Sequence, residues 1–145
     1  MEDLFRLPFD FAVPDLLFHR ELAGDIGDRL IALGLRVEEL GPEELSRAVA
    51  VRREMSTLST PDTFAFAIAE RRSWPLLTGD GALRQFATDA GVATHGVLWI
   101  CDRFEDHLIL GLDHLHQGLT AISTHPRCRL PATEVRARLH RYAAG

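Results

Sequence analysis

A chain of 145 residues, 46% of them apolar, can bury one real core and is too short for two ordinary domains, so a single domain over residues 1–145 is expected. No apolar stretch approaches the length of a membrane span, and the opening MEDLFRLPFD, acidic and interrupted by Pro8, is unlike a signal peptide, which together point to a cytoplasmic protein. The formal charge of −5 hides a division: residues 1–70 carry fourteen acids against seven Arg, and residues 71–145 carry seven acids against nine Arg.

In chain order, FDFAV (Phe9 to Val13) reads as a strand and Asp15 to Ala23 as a helix. Asp25 to Leu33 is a second helix, closed by Gly34 in the left-handed position that favours glycine. LRVEEL (Leu35 to Leu40) is the next strand, followed by helices over Pro42 to Met55 and Pro61 to Arg72. PLLT (Pro75 to Thr78) is a third strand, Gly81 to Ala90 a helix closed by Gly91, and VATH (Val92 to His95) a fourth strand. Helix follows from Val97 onward, and a last amphipathic helix runs from Ala132 to Tyr142. Short strands alternating with longer helical stretches are the α/β pattern.

Three acids stand where ligands gather in such a fold, outside the carboxyl ends of parallel strands and at helix starts. Asp80, in LLTGDGAL, lies where a strand stops and a helix begins. In STPDTFAF, Thr60 is the expected cap, Pro61 occupies the first turn, and Asp62 sits at the positive end of the helix dipole. Glu21, four residues after Leu17 and three after Phe18, falls close to an apolar helix face, where a carboxylate needs a partner such as Arg20, Arg29 or a cation; a rotated helix would leave it exposed. If folding brings Glu21, Asp62 and Asp80 together, their mutual repulsion calls for a hard divalent cation, Mg2+ or Mn2+. Such an ion activates water and stabilises the leaving oxygen in phosphodiester cleavage.

Other chemistries fit less well. GDG continues as GDGALRQ, without the second acid of a GDGxND phosphatase turn and without a D-x-D-x-T nucleophile. Neither G-x-x-x-x-G-K-[ST] nor G-x-G-x-x-G occurs. His114 and His116, two apart on a helix, diverge, and Cys101 and Cys128 form no CxxC, so a zinc site and a disulfide framework are both disfavoured. Trp99, Phe64, Phe66 and Phe86 have the spacing of core residues. The basic tail, Arg127, Arg129, Arg136, Arg138 and Arg141, reads first as a solvated helix face and second as a surface for nucleic acid or an acidic partner.

Four segments, in order, carry a resemblance: FAVPDLLFHREL (Phe11 to Leu22), STPDTFAFAIAE (Ser59 to Glu70), PLLTGDGALRQFATDAGVATHGVLWICDRF (Pro75 to Phe104) and RLP (Arg129 to Pro131). The chain resembles the PIN-domain nucleases, and among them the VapC-like toxins of prokaryotic toxin–antitoxin pairs. The resemblance implies a three-layer α/β fold with a short parallel sheet flanked by helices, and divalent-metal-dependent cleavage of RNA. It matches Glu21, Asp62 and Asp80 to metal-site acids and Thr78 to a hydroxyl beside them. It also implies an RNA substrate, an antitoxin partner and a homodimer.

The departure is at the front. Members of that family begin with a buried central strand ending in an Asp, as D-x-N or D-x-S, and neither Asp3 nor Asp10 follows such a strand here. An N-terminally incomplete domain is therefore expected, with weak metal binding and exposed ladder edges that favour self-association. A PIN-like binding module without catalysis is the alternative.

Overall fold

In the computed structural model of the chain, the described residues are 2–126 and 128–144. After a 3-10 turn (Glu2–Arg6), the order is β1 (Ala12–Pro14), α1 (Asp15–Leu17) running into a π-helical turn (Phe18–Leu22), α2 (Asp25–Ala32), β2 (Arg36–Glu38), α3 (Pro42–Glu54) and α4 (Thr60–Arg72). Then come β3 (Leu76–Leu77), α5 (Gly81–Asp89), β4 (Thr94–His95), α6 (Val97–Asp106), α7 (Leu112–Ser123) and α8 (Ala132–Ala144). The α/β class stands. No helix among the described residues is long and apolar enough to cross a membrane.

Each expected strand forms, but shorter than its apolar run. Pro14, which has no N–H to donate, ends β1 after three residues. The expected helix over 15–23 is a single α turn that widens into the π-helical turn, and the buried Phe18 ring of that turn lies against Gly27 of α2. Both glycine stops hold: Gly34 (φ 117°) and Gly91 (φ 85°) adopt the left-handed backbone that only glycine enters without strain.

The strands pair in parallel, Ala12 to Pro14 against Arg36 to Glu38 and Leu76–Leu77 against Thr94–His95, and they do so as two separate pairs. A single short sheet is thus replaced by two halves with a gap between β1 and β3. The main chain explains why the gap can take hydrogen bonds. Arg36 N donates to Phe11 O at 2.9 Å, so the next N–H, that of Ala12, points away from β2. Leu76 N donates to Ala93 O at 2.8 Å and Thr78 N to His95 O at 3.0 Å, so the N–H and C=O of Leu77 point away from β4. Both inner edges carry main-chain groups that neither half-sheet pairs.

Three apolar clusters follow this division. Phe18, Leu30 and Leu35 lie under the first pair, with Phe5, Phe11 and Val37 against them. Val51, Leu58, Phe66, Leu76, Leu83 and Val92 join α3, α4 and α5 to the second pair, with the Phe86 ring edge-on to Phe66 at 5.0 Å. Cys101, Leu115, Leu119, Val135 and Tyr142 hold α6, α7 and α8 together.

Charged clasps lock the helices in place. Arg47 binds Glu70 at 2.7 and 3.2 Å, and Arg138 binds Asp102 at 2.8 and 2.7 Å. Arg141 binds Glu105 at 3.1 and 2.7 Å. Of the basic tail, Arg138 and Arg141 are therefore spent on α6, while Arg127 lies outside the described residues. Of the aromatic residues expected in the core, Phe66 is fully buried, and Phe64, Phe86 and Trp99 are half-buried.

Candidate functional site at the gap between the half-sheets

Asp80 stands where it does because it caps a helix. Its Oδ1 accepts from Leu83 N at 2.9 Å, and its own N–H donates to Thr78 Oγ1 at 3.0 Å, so the hydroxyl of the residue that follows β3 shapes the turn that starts α5. Gly79 and Gly81 flank it with open space on both sides.

Asp62 has a matching duty at α4. Its N–H donates to Ser59 Oγ at 3.2 Å, and its Oδ2 accepts from Ser59 N at 3.3 Å, a reciprocal capping box. The cap is thus Ser59, one residue earlier than the expected Thr60, which is the first helical residue instead. STPD offers two hydroxyls in a row, and the one three residues before the acid closes the box.

A cavity of about 410 Å3 opens between β1 and β3. Ala12, Val13 and Pro14 line one wall and Leu76, Leu77 and Thr78 the other, with Leu17, Leu30, Ala65 and Leu83 from the surrounding helices. Asp62 and Thr78 meet at this cavity, and Asp80 is tied to Thr78 through its main chain. Asp10, set aside in the sequence because no apolar strand precedes it, lines the same cavity. It lies two residues before β1, inside the run Phe9 to Val13 expected as a strand, and no motif in the sequence marked it.

Glu21 takes a different place. It is exposed on the π-helical turn, and its neighbours Leu17 and Leu22 line the cavity while it does not. The partners foreseen for it are engaged otherwise or absent: Arg29 pairs with Glu2, and no ion pair joins Glu21 to Arg20 among the described residues. Widening of the helix at residues 18–22 changes the rotation that α-helical spacing assumes, so the i, i+4 argument for an inward Glu21 fails locally.

Among the described residues no three His, Cys, Asp or Glu side chains group closely enough to hold a metal ion. The expected gathering of Glu21, Asp62 and Asp80 into one such group is therefore not what this structure has. Asp62 and Asp80 each commit one carboxylate oxygen to a helix N-terminus. A hard divalent cation asks for about six oxygens, and no group of acids among the described residues supplies a cage that fits it.

Beyond β3 the surroundings turn aromatic and basic. The His95 imidazole stacks on Trp99 at 4.3 Å with 13° between the planes, the Phe9 ring is 5.4 Å from Trp99, and the Arg103 guanidinium lies 5.5 Å from the same indole. Burial, then the charges of Arg103 and Arg84, push the His95 pKa below its ordinary value, which favours the neutral ring. The spacing of Trp99 suggested packing alone, and nothing in the sequence pairs it with His95 except their i, i+4 separation.

Comparison with known proteins bears on this arrangement. The family model described as a PIN domain matches residues 2–143. None of the curated proteins or solved structures compared with the chain matches it. A match over nearly the whole length, together with parallel strand pairs flanked by helices and acids at two helix starts, gives the conclusion that the chain belongs to the PIN-domain family.

Proposed function

We propose that the chain is a PIN-type endoribonuclease, hydrolysing RNA phosphodiesters with the aid of Mg2+ or Mn2+, and the VapC-like toxin of a toxin–antitoxin pair. Family membership supports nuclease-type chemistry. The observation that carries the reading to this site is the meeting of Asp62 and Thr78 at the gap between β1 and β3, with Asp80 hydrogen-bonded to Thr78. Because the acids present do not complete a cation site, the active form is one in which a central strand fills the gap and brings a further acid beside Asp62. In that form Asp62 and Asp80 are the acids of the site, Glu21 is a more remote contributor, and Thr78 fixes the turn that carries Asp80. An antitoxin partner, a homodimer and a cytoplasmic setting belong to the same reading.

The test is cleavage of a labelled single-stranded RNA by the protein with magnesium or manganese, against its Asp62→Asn and Asp80→Asn variants. At the Asp80 cap asparagine serves about as well as aspartate, and at position 62 its amide oxygen still accepts from Ser59 N, so these variants keep the fold and lose the charge. Cleavage by the parent that both substitutions abolish is expected. Equal cleavage in all three proteins would reject the assigned acids.

One observation favours a second reading: no three acidic, His or Cys side chains form a group among the described residues. A PIN-like binding module without catalysis, working through protein contacts, accounts for that directly. Absence of cleavage with either ion in every form of the protein would leave the module as the function.

A further inference from the structure

We infer that a groove beside the Asp80 turn is the track for the phosphodiester backbone of a single-stranded RNA, gripped by Arg84 and Arg129. This deepens the nuclease reading, on which it rests for the identity of the polymer. The groove, about 560 Å3, is lined by Gly79, Gly81, Arg84, Val97, Ile122 and the segment Cys128–Pro131. Its only charged lining residues among those described are the two arginines, although the chain as a whole carries a formal charge of −5.

The arginines are available for an anion. Several other guanidinium groups are consumed by carboxylates, as Arg47, Arg72, Arg138 and Arg141 are. Arg84 and Arg129 have no carboxylate partner among the described residues. Arg84 is nevertheless held in place: its Nη2 donates to Thr78 O at 3.0 Å, and its other N–H groups have no hydrogen-bond partner among the described residues. It also lies so close over Gly96 that a Cβ on that residue would collide with Nη2, so the glycine makes room for it.

Geometry connects the track to the acids. The carbonyl that anchors Arg84 belongs to Thr78, whose hydroxyl receives the Asp80 N–H, and Gly79 and Gly81 on either side of Asp80 form the groove floor without side chains. A guanidinium presents a planar fork that matches phosphate oxygens. Val97, Ile122, Leu130 and Pro131 offer apolar surface to ribose and base faces. A phosphate-bearing strand laid across Gly79–Gly81 would pass Asp80 and continue over both arginines.

Fluorescence anisotropy of a labelled single-stranded RNA, with a chelator present so that no cleavage occurs, tests the track on the full chain. Arg84→Gln, which keeps a donor for Thr78 O, combined with Arg129→Ala, should weaken binding on the order of tenfold or more. The same pair should reduce the slope of log affinity against log salt by about 1.4, roughly 0.7 for each phosphate no longer neutralised. Gly96→Ala, which dislodges the Arg84 guanidinium without removing a charge, should weaken binding as Arg84→Gln does. Arg53→Ala, an exposed arginine of α3 outside the groove, should leave it unchanged. Thermal melts of each variant matching the parent keep a folding defect from imitating the effect.

Unchanged affinity and slope in the double variant would overturn the inference, as would binding of a labelled polyglutamate as tight as that of RNA, which would make the groove a dock for an acidic protein. RNA binding that needs both arginines in a protein that never cleaves would uphold the track and reject the hydrolysis. Cleavage that persists undiminished in the double variant would do the reverse.

Discussion

The main-chain N–H of Asp80 donates to the hydroxyl of Thr78 at 3.0 Å, and through that bond the end of β3 dictates the start of α5. The Asp80 carboxylate completes the turn by accepting from Leu83 N. Asp80→Ala should therefore cost about 1 kcal/mol of stability, whereas Asp80→Asn should cost only a few tenths. Urea denaturation midpoints of the two variants check this, and equal losses would mean that the carboxylate is not the cap.

Gly27 is buried in α2 with the Leu22 carbonyl and the Phe18 ring packed where a side chain would begin. In an exposed helix, Gly→Ala gains up to about 1 kcal/mol. Here the methyl meets backbone as well as a ring, so Gly27→Ala should destabilise by about 2 kcal/mol or more. Calorimetry showing a higher melting temperature for the variant would contradict the packing of the π-helical turn on α2.

Arg72 and Glu44 clasp α4 to α3 at 2.9 and 3.1 Å, and Glu44, 5% exposed, also accepts from Gly41 N at 2.8 Å. The Arg72 hydrogen bond holds the Glu44 pKa below its ordinary value of 4.5, with the Gly41 N–H helping and burial opposing. A carboxyl that titrates lower in the folded state than in the unfolded one stabilises above its unfolded pKa, and that stability is lost as pH falls toward the folded value. His95, also depressed, has the same sign but acts earlier, as pH falls below its ordinary 6.5. Melting temperature should thus decline in two stages on acidification. Arg72→Ala should cost about 3 kcal/mol by leaving a buried carboxylate without its partner. His95→Phe should remove the upper stage and leave the lower one.

Tyr142 is 2% exposed at the centre of the α6–α8 cluster, and its hydroxyl has no hydrogen-bond partner among the described residues. Burial is the main reason its pKa is pushed up to about 12. Tyr142→Phe should leave stability unchanged or raise it by up to about 1 kcal/mol, because it removes an unsatisfied polar atom. Tyr142→Ala should cost about 3–5 kcal/mol. A loss of stability in the phenylalanine variant would expose a partner for the hydroxyl.

The unpaired edges at Ala12 and Leu77 should drive association of two copies. Leu77 is 41% exposed on such an edge, and Leu77→Lys should shift the protein toward monomer in sedimentation velocity. A parent that sediments as a monomer at every concentration would remove the homodimer from the proposal.

Local chemistry was legible from the chain alone. Gly34 and Gly91 end helices because a left-handed residue without a Cβ is cheap wherever it occurs, whereas of the two adjacent hydroxyls before Asp62 the structure made Ser59 the cap, not the expected Thr60. Asp62 and Asp80 could still be assigned to helix starts. Glu21 could not be placed by spacing, since a π-helical turn obeys a different period from the α-helix that spacing presupposes.

What folding alone decided concerns groups far apart in sequence. Whether strand pairs fuse into one sheet depends on how helices space them, and only the three-dimensional packing separates β1 from β3 and puts Asp10, Asp62 and Thr78 on the walls of one cavity. It likewise leaves Arg84 and Arg129 without carboxylates among the described residues while Arg138 and Arg141 find theirs on α6. Pairing between side chains is a matter of distance in space, which a linear order of residues does not contain.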